Sequence, residues 1–262
     1  MNFGMFEVVE KIGYVPSALI VIIGFALFTY WLLNFSKLAG WFSKEDLVGP
    51  FFSYAAVLFA LFSAMVATDI WGRYKDATTA VVNEAAAVRS LLTSASYLDQ
   101  EDGLKLRAAV HHYVDVLVNQ EWPVMHEADT SRKEVAHRAL EQLSATALGV
   151  TMKQSLPKVL ESRLQQAIDV LRSSRLQRLS LAFDHVTYAK WRALILFGCL
   201  SIFSVAVVHV RKRRAMATAL CIAVAGILLT IVVLANNRSP FAGIDPVKPG
   251  LIKDSLLLFD LK

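Results

Sequence analysis

The stretch from Leu47 to Ala95 constrains this chain most, because it begins as an apolar segment and continues without a break as an amphipathic one. No charged residue lies between Leu47 and Thr68, and a helix of that length crosses a hydrocarbon core of about 30 Å. Beyond Asp69, small and apolar residues recur every three or four positions, the period of a helix that buries one face: Ala77, Val81, Ala85, Val88, Leu92 and Ala95. We therefore predict one rigid helix that spans a membrane and projects from it.

The composition indicates a membrane protein. Hydrophobic residues make up 55% of the 262 residues, more than an ordinary soluble domain of this size carries. Charged residues concentrate in the middle of the chain, and the apolar runs lie towards its ends at 12–36, 47–68, 193–210 and 215–237. Each run is long enough to span a bilayer. The predicted fold is therefore all-α, with four transmembrane helices and a helical soluble insert between helices 2 and 3.

The predicted organisation has four parts. These are a transmembrane hairpin over 1–68, a helical stalk and soluble insert over 69–192, a second transmembrane hairpin over 193–237, and a Pro/Gly-containing tail over 238–262. Within the insert, breaks in the periodicity predict separate helices; the breaks are at Asp99–Gly103, Glu121-Trp122-Pro123 and Gly149. A long helix from Pro157 is expected to run into the third span without a break. The tail ends in a short apolar segment, Leu256–Phe259.

The basic residues predict how the chain crosses the membrane. An even number of spans places the insert and both termini on one face and the two short connections on the other. Those connections carry Lys37, Lys44 and the run Arg211–Arg214, and short basic loops stay in the cytoplasm. We therefore expect a multi-pass protein of the cell inner (plasma) membrane with an extracytoplasmic insert and termini, although Arg73 and Lys190 flank the spans on the other side.

The sequence contains no glycine-rich phosphate loop, no G-x-S-x-G elbow and no Cys-x-x-Cys pair, which argues against an enzyme. His111 and His112 are adjacent, so they cannot face one ligand from a helix, and His126, His137 and His185 lack partners at the spacing of a helical zinc site. We therefore expect no metal and no cofactor. The basic residues are dispersed among spans and helices, so nucleic-acid binding is not expected either.

Large apolar side chains run along the second span in two neighbouring stripes. One stripe contains Phe51, Leu58, Phe62, Met65 and Asp69, and the other contains Phe52, Phe59, Val66 and Arg73. Ordinary helix packing or lipid contact accounts for such stripes. The alternative is a hydrophobic constriction, formed when several copies of the helix surround an axis and gate ions by wetting and dewetting. That alternative assigns a pore neck to Phe51, Leu58, Phe59, Phe62, Met65 and Asp69.

Three arginines follow at intervals of three on the predicted long helix: Arg172, Arg175 and Arg178. Such a ridge is typical of a solvated face whose charges pair with local carboxylates. The alternative is a vestibule for inorganic anions. The formal net charge of +5 is compatible with an anion path or with contact to anionic lipids.

Four short motifs resemble a known family. They are Trp71-x-x-Tyr74-x-x-Ala77, Asn83-Glu84-Ala85 with Leu91, Glu121-Trp122-Pro123, and Arg238-Ser239-Pro240-Phe241-Ala242-Gly243. Together they resemble the bestrophin-like family of bacterial membrane proteins, with Ser239 inserted between the Arg and the Pro-Phe pair of the family pattern. We expect Glu84 and Trp122 to be structural, with Glu84 satisfied by Arg89 or by a base on a facing helix.

The resemblance implies a homo-oligomeric channel. Bestrophins are pentameric anion channels with four spans per subunit, a helical domain between spans two and three, and an apolar neck on the second span. The neck would then fall on Leu58, Phe62 and their neighbours. Two features differ from bestrophins: the basic loops favour the opposite orientation, and the sequence has no acidic calcium-binding cluster.

The sequence leaves three functions open. The first is an oligomeric, anion-selective channel. The second is a non-conducting membrane sensor or scaffold whose helical insert binds a partner. The third is an effector that permeabilises the membrane only when an activator triggers it.

Overall fold

The computed structural model describes residues 14–35, 49–125, 131–153, 156–183, 188–242 and 245–260. The helices in these ranges are α1 (Tyr14–Phe35), α2 (Gly49–Ala95), α3 (Gln100–Val116), α4 (Ser131–Lys153), α5 (Lys158–Phe183), α6 (Tyr188–Val208), α7 (Arg213–Asn236) and α8 (Gly250–Asp260). A π-helical turn (Leu117–Glu121) and a 3₁₀ turn (Trp122–Val124) follow α3. Within the described ranges, β pairing is limited to a bridge between Ser239 and Ala242. The all-α prediction is confirmed.

Four of these helices are long and apolar enough to cross a membrane, which agrees with the four predicted spans. The apolar segments are Pro16–Phe35, Ser53–Ala95, Ala189–Val208 and Arg213–Asn236. As the sequence predicts, α2 continues from its apolar part into its amphipathic part without interruption. The third span starts earlier than predicted, since α6 begins at Tyr188. Residues 184–187, where the long helix was expected to run into this span, lie outside the described residues.

The chain forms two compact units. The membrane unit comprises Met1–Trp71 and Val186–Arg238, and the insert unit comprises Gly72–His185 and Ser239–Lys262. The tail, which the sequence analysis treats as a separate part, therefore belongs to the insert unit. The predicted apolar segment at its end lies within α8, a helix that begins after Pro249.

The core of the membrane unit is built where α1, α2, α6 and α7 approach one another. Gly198 of α6 permits the close approach. A Cβ atom at this position would lie 3.2 Å from Ile227 of α7, 3.4 Å from Ile22 of α1 and 3.6 Å from Phe59 of α2. The contact to Ile227 would be tighter than most side-chain contacts, so the absence of a side chain at Gly198 lets α7 approach α6 closely.

The core of the insert unit is formed by the apolar stripe that the sequence predicts on α2. Ala77, Val81 and Val88 are buried there and share one cluster with residues of α3, α4, α5 and the tail. Helix α4 extends to Lys153, beyond the stop predicted at Gly149. A glycine inside a helix costs only about 1 kcal/mol, which the burial of Ala147 and Val150 on the same helix offsets.

Candidate functional site

Within the membrane unit, α2 buries one face and exposes the other. Val66 is fully buried in the core, and Phe59 and Phe62 pack against that core. The Phe62 ring lies 5.4 Å from the Phe197 ring of α6, measured between centroids. Two of the predicted neck residues, Phe59 and Phe62, therefore contact their own subunit.

A neighbouring face of α2 carries large, mostly apolar side chains that are exposed in the membrane unit. Tyr54 is 69% exposed, Leu58 44%, Leu61 64% and Met65 45%. Leu58 and Met65 are predicted neck residues, whereas Tyr54 and Leu61 are not. The side chain of Phe51 lies outside the described part of the chain. This exposed face is available to another helix, to lipid or to a pore.

Asp69 is half-buried and forms an ion pair with Lys190 of α6. The pair joins two helices of the membrane unit beyond the apolar part of α2. The Asp69 carboxylate therefore has a partner within its own subunit. Asp69 is the last of the predicted neck residues along the chain.

In the insert unit, three helices meet at a buried cluster of charges around Arg178 of α5. The guanidinium donates to both carboxylate oxygens of Glu84 on α2, from Nε at 2.8 Å and from Nη2 at 3.2 Å. Tyr113 of α3 donates its hydroxyl to Glu84 Oε1 at 2.7 Å. All three side chains are fully buried. The base expected for Glu84 is thus Arg178 on a facing helix, and Arg89 donates instead to the Ser255 hydroxyl of α8 at 3.1 Å.

The π-helical turn supplies a second carboxylate to the cluster. Glu121 accepts from Arg178 Nη2 at 2.7 Å and from Arg175 Nε at 3.1 Å, and both arginines are nine-tenths buried or more. Two carboxylates and two guanidiniums therefore balance in a site closed to water. A π turn adds a residue to a helix, a feature that often marks functional positions, and here it ends in the residue that bridges the two arginines.

Trp122 covers the cluster. Arg178 lies 5.0 Å from the centroid of the Trp122 ring, a cation–π distance. Phe241 of the tail packs against the same ring edge-on, with the centroids 5.8 Å apart. The Glu121-Trp122-Pro123 motif and the tail motif thus meet at the Trp122 ring.

Burial and charge set the protonation of the cluster. Burial, and then the negative charge of Glu84, raises the pKa of the Tyr113 hydroxyl well above its ordinary value. Burial opposes the charge on Arg178, but Glu84 and Glu121 outweigh it and raise the pKa of the guanidinium. Arg178 therefore stays charged and Tyr113 stays protonated, so the cluster forms a fixed brace between helices.

Arg172 differs from the two buried arginines. Its side chain is 46% exposed and lies 3.4 Å from Glu141 of α4. Both residues line an open groove of about 480 Å³ between α4 and α5. The structure thus separates the three residues of the predicted anion vestibule: Arg172 reaches solvent, and Arg175 and Arg178 are neutralised inside the insert unit.

The remaining motif residues fall into two groups. Trp71, Tyr74, Pro123 and Arg238 are exposed, whereas Pro240 and Phe241 are buried. The Pro240 carbonyl oxygen accepts from the Val247 amide at 2.9 Å, which folds the tail back on itself. No group of three His, Cys, Asp or Glu side chains in the described ranges could hold a metal ion.

These features define a multi-pass α-helical membrane protein with an insert braced by buried charges. A match to the Bestrophin-like domain covers residues 20–250, and the chain belongs to that family. No curated protein sequence matches the chain.

Solved structures share the fold. A bacterial Bestrophin homolog from Klebsiella pneumoniae, phased by Zn-SAD, is 15% identical over 95% of this chain and 99% of its own, with a TM-score of 0.68. A point mutant of the Klebsiella pneumoniae homolog is 13% identical over 95% of this chain and 100% of its own, with a TM-score of 0.65. A further mutant, described only as a membrane protein, gives 13% identity over 95% of this chain and 99% of its own, with a TM-score of 0.67. At this identity the likeness concerns the fold.

Proposed function

We propose that the protein is a homo-oligomeric ion channel in which the exposed face of α2 lines the pore. The observation that carries this proposal is the row of exposed apolar side chains at Leu58, Leu61 and Met65. Side chains of this size around a central axis form a constriction that excludes water until it widens. Membership of the Bestrophin-like family supports the same conclusion.

The finer features of the channel follow from the family resemblance. We propose a pentamer that conducts inorganic anions, because bestrophins are pentameric anion channels. The excess of basic residues over acidic ones favours anions in the surrounding field. The mass of the detergent-solubilised particle tests the subunit number, and the reversal potential in a chloride gradient tests the selectivity.

We place the neck on Leu58 and Met65 rather than on Phe59 and Phe62, whose rings pack inside the subunit. Purified protein in a planar bilayer should give discrete currents. Leu58→Ser should raise the open probability or the unitary conductance, because a hydroxyl wets a dewetted constriction. Phe62→Ala is the matched control: the Phe62 ring is partly buried against the core, so the change should lower stability by up to about 3 kcal/mol and leave the unitary conductance unchanged.

Two results would count against this assignment. A monomeric or dimeric particle cannot surround a pore. Altered conductance in Phe62→Ala, with none in Leu58→Ser, would move the pore to the other face of α2.

We further propose that the protein lies in the inner (plasma) membrane with its insert and termini outside the cytoplasm. The basic turn Arg211–Arg214 supports this orientation, since short basic loops stay inside. Fusions of a reporter that is active only in the cytoplasm, after Lys262 and within the basic turn, should give signal from the turn alone. Signal from the tail alone would reverse the orientation.

A second function is favoured by the groove between α4 and α5. The groove combines Leu148, which is 55% exposed, with the charged side chains of Glu141, Asp169 and Arg172. Such a surface suits a partner segment, as a non-conducting sensor or scaffold would require. Leu148→Glu should abolish partner binding under this function and leave the currents unaffected under the first.

A further inference from the structure

The turn between α6 and α7 is short, strongly basic and level with the ends of two spans. Helix α6 ends at Val208 and α7 begins at Arg213. The turn is closed by a hydrogen bond from the Lys212 amide to the His209 carbonyl oxygen at 2.9 Å. A connection of this length cannot carry its side chains away from the membrane, so they lie at the depth of the lipid headgroups.

Three cations lie at the end of this turn and the start of α7, and all three are exposed. They are Lys212, Arg213 and Arg214. The Arg213 guanidinium reaches the Asn34 carbonyl oxygen near the end of α1 at 3.5 Å, which places a third span beside the turn. This contact uses one of the five N–H donors of the guanidinium.

The described part of the membrane unit has little negative charge to offer these cations. Its only acidic residue is Asp69, and that carboxylate is paired with Lys190. Among the described residues of the membrane unit, no acidic side chain therefore remains to pair with these cations.

We propose that Lys212, Arg213 and Arg214 bind the phosphate headgroup of an anionic phospholipid. Guanidinium groups hold phosphate oxygens through paired, charge-assisted hydrogen bonds, and lysine adds a point charge. The acyl chains would lie along α7, whose Ile222 and Leu229 are 69% and 67% exposed. A lipid satisfies both the cations and this apolar surface, whereas a free anion satisfies only the cations.

The test compares lipid binding to the full chain in neutral detergent by native mass spectrometry. The probes are dimyristoyl phosphatidylglycerol and dimyristoyl phosphatidylcholine, which have identical acyl chains. The variant combines Lys212→Gln, Arg213→Gln and Arg214→Gln. The control combines Lys158→Gln, Arg163→Gln and Lys253→Gln, which remove the same charge from exposed positions of the insert unit.

Each basic residue near an anionic surface strengthens association about fivefold, so removing three should reduce the preference for phosphatidylglycerol about 100-fold. The control should keep the preference of the wild-type chain. An unchanged preference in the turn variant would overturn the proposal. Displacement of the lipid by an equal concentration of inorganic phosphate would also overturn it, because the site would then hold a free anion.

A measurement on the wild-type chain covers the case in which the turn variant fails to fold. The preference for phosphatidylglycerol should fall as sodium chloride is raised tenfold from about 0.05 M, since salt screens headgroup contacts. A preference that is insensitive to salt would contradict a site made of these cations.

Discussion

Replacing Arg178 by glutamine should destabilise the protein far more than the same change at Arg172 on the same helix. Arg178 is fully buried between Glu84 and Glu121, and the two carboxylates and two guanidiniums of the cluster cancel in charge. Removing one cation leaves an unmatched buried carboxylate, which costs about 3–5 kcal/mol. Arg172 and Glu141 are 46% and 53% exposed, and an exposed pair contributes about 0–1 kcal/mol.

The difference is large enough to measure on the full chain in detergent. At about 2–4 °C per kcal/mol for a protein of this size, Arg178→Gln should lower the melting temperature by about 6–20 °C. The assay records the temperature at which half of the protein no longer elutes as a monodisperse particle. A melting temperature within about 2 °C of that of Arg172→Gln would refute the reasoning.

A double variant tests whether charge balance causes the loss. Glu84→Gln together with Arg178→Gln leaves Glu121 and Arg175 as a neutral pair, and the introduced amide still offers an acceptor to Tyr113. The double variant should therefore recover at least half of the stability that the single change removes. A double variant no more stable than Arg178→Gln would show that packing or the Trp122 contact, rather than charge balance, dominates.

Three further predictions concern the insert unit. Tyr113→Phe should cost about 1.5–3 kcal/mol at neutral pH, since the buried, charged Glu84 carboxylate loses one donor. Because burial raises the pKa of Tyr113 well above its ordinary value of 10.0, the folded state keeps a proton that the unfolded chain releases. Stability should therefore fall as the pH rises above about 10, and a melting profile that is equally steep in Tyr113→Phe would contradict this. Gly103→Ala should destabilise by about 1–3 kcal/mol, because its Cβ would lie 2.6 Å from the Ala95 carbonyl oxygen. Gly149→Ala, with nothing within 4 Å, should instead stabilise by up to about 1 kcal/mol; equal melting temperatures would refute both.

The helices could be predicted from the sequence because apolar periodicity and segment length act locally. The sequence also indicates that Glu84 is buried, since Glu84 interrupts an apolar stripe between Val81 and Val88. A carboxylate in such a stripe needs a buried base. The identity of that base was not predictable, because Arg89 and Arg178 satisfy the rule equally well until α5 is placed against α2.

The three arginines of α5 were predicted to form one ridge, but their directions around the helix differ enough to separate them. Residues three apart on an α-helix differ by about 60° in direction, so Arg172 and Arg178 differ by about 120°. That rotation is enough to carry one guanidinium into solvent and the other into the core. Two helical residues three positions apart still lie on the same side of the helix. A third residue three positions further on does not lie on the same face as the first.

For a related reason, the face of α2 that packs inside its own subunit could not be predicted from α2 alone. Leu58 and Phe62 differ by about 40° around the helix, and Phe59 lies about 60° further on. Faces that contact lipid, a pore or another helix are all apolar, so hydrophobicity does not mark where one face ends. The boundary falls between Leu58 and Phe62 because Phe197 of α6 lies against the Phe62 ring, with the two ring centroids 5.4 Å apart. The residue that decides which aromatic rings turn inward therefore belongs to another helix, and it becomes informative only once the two helices are packed together.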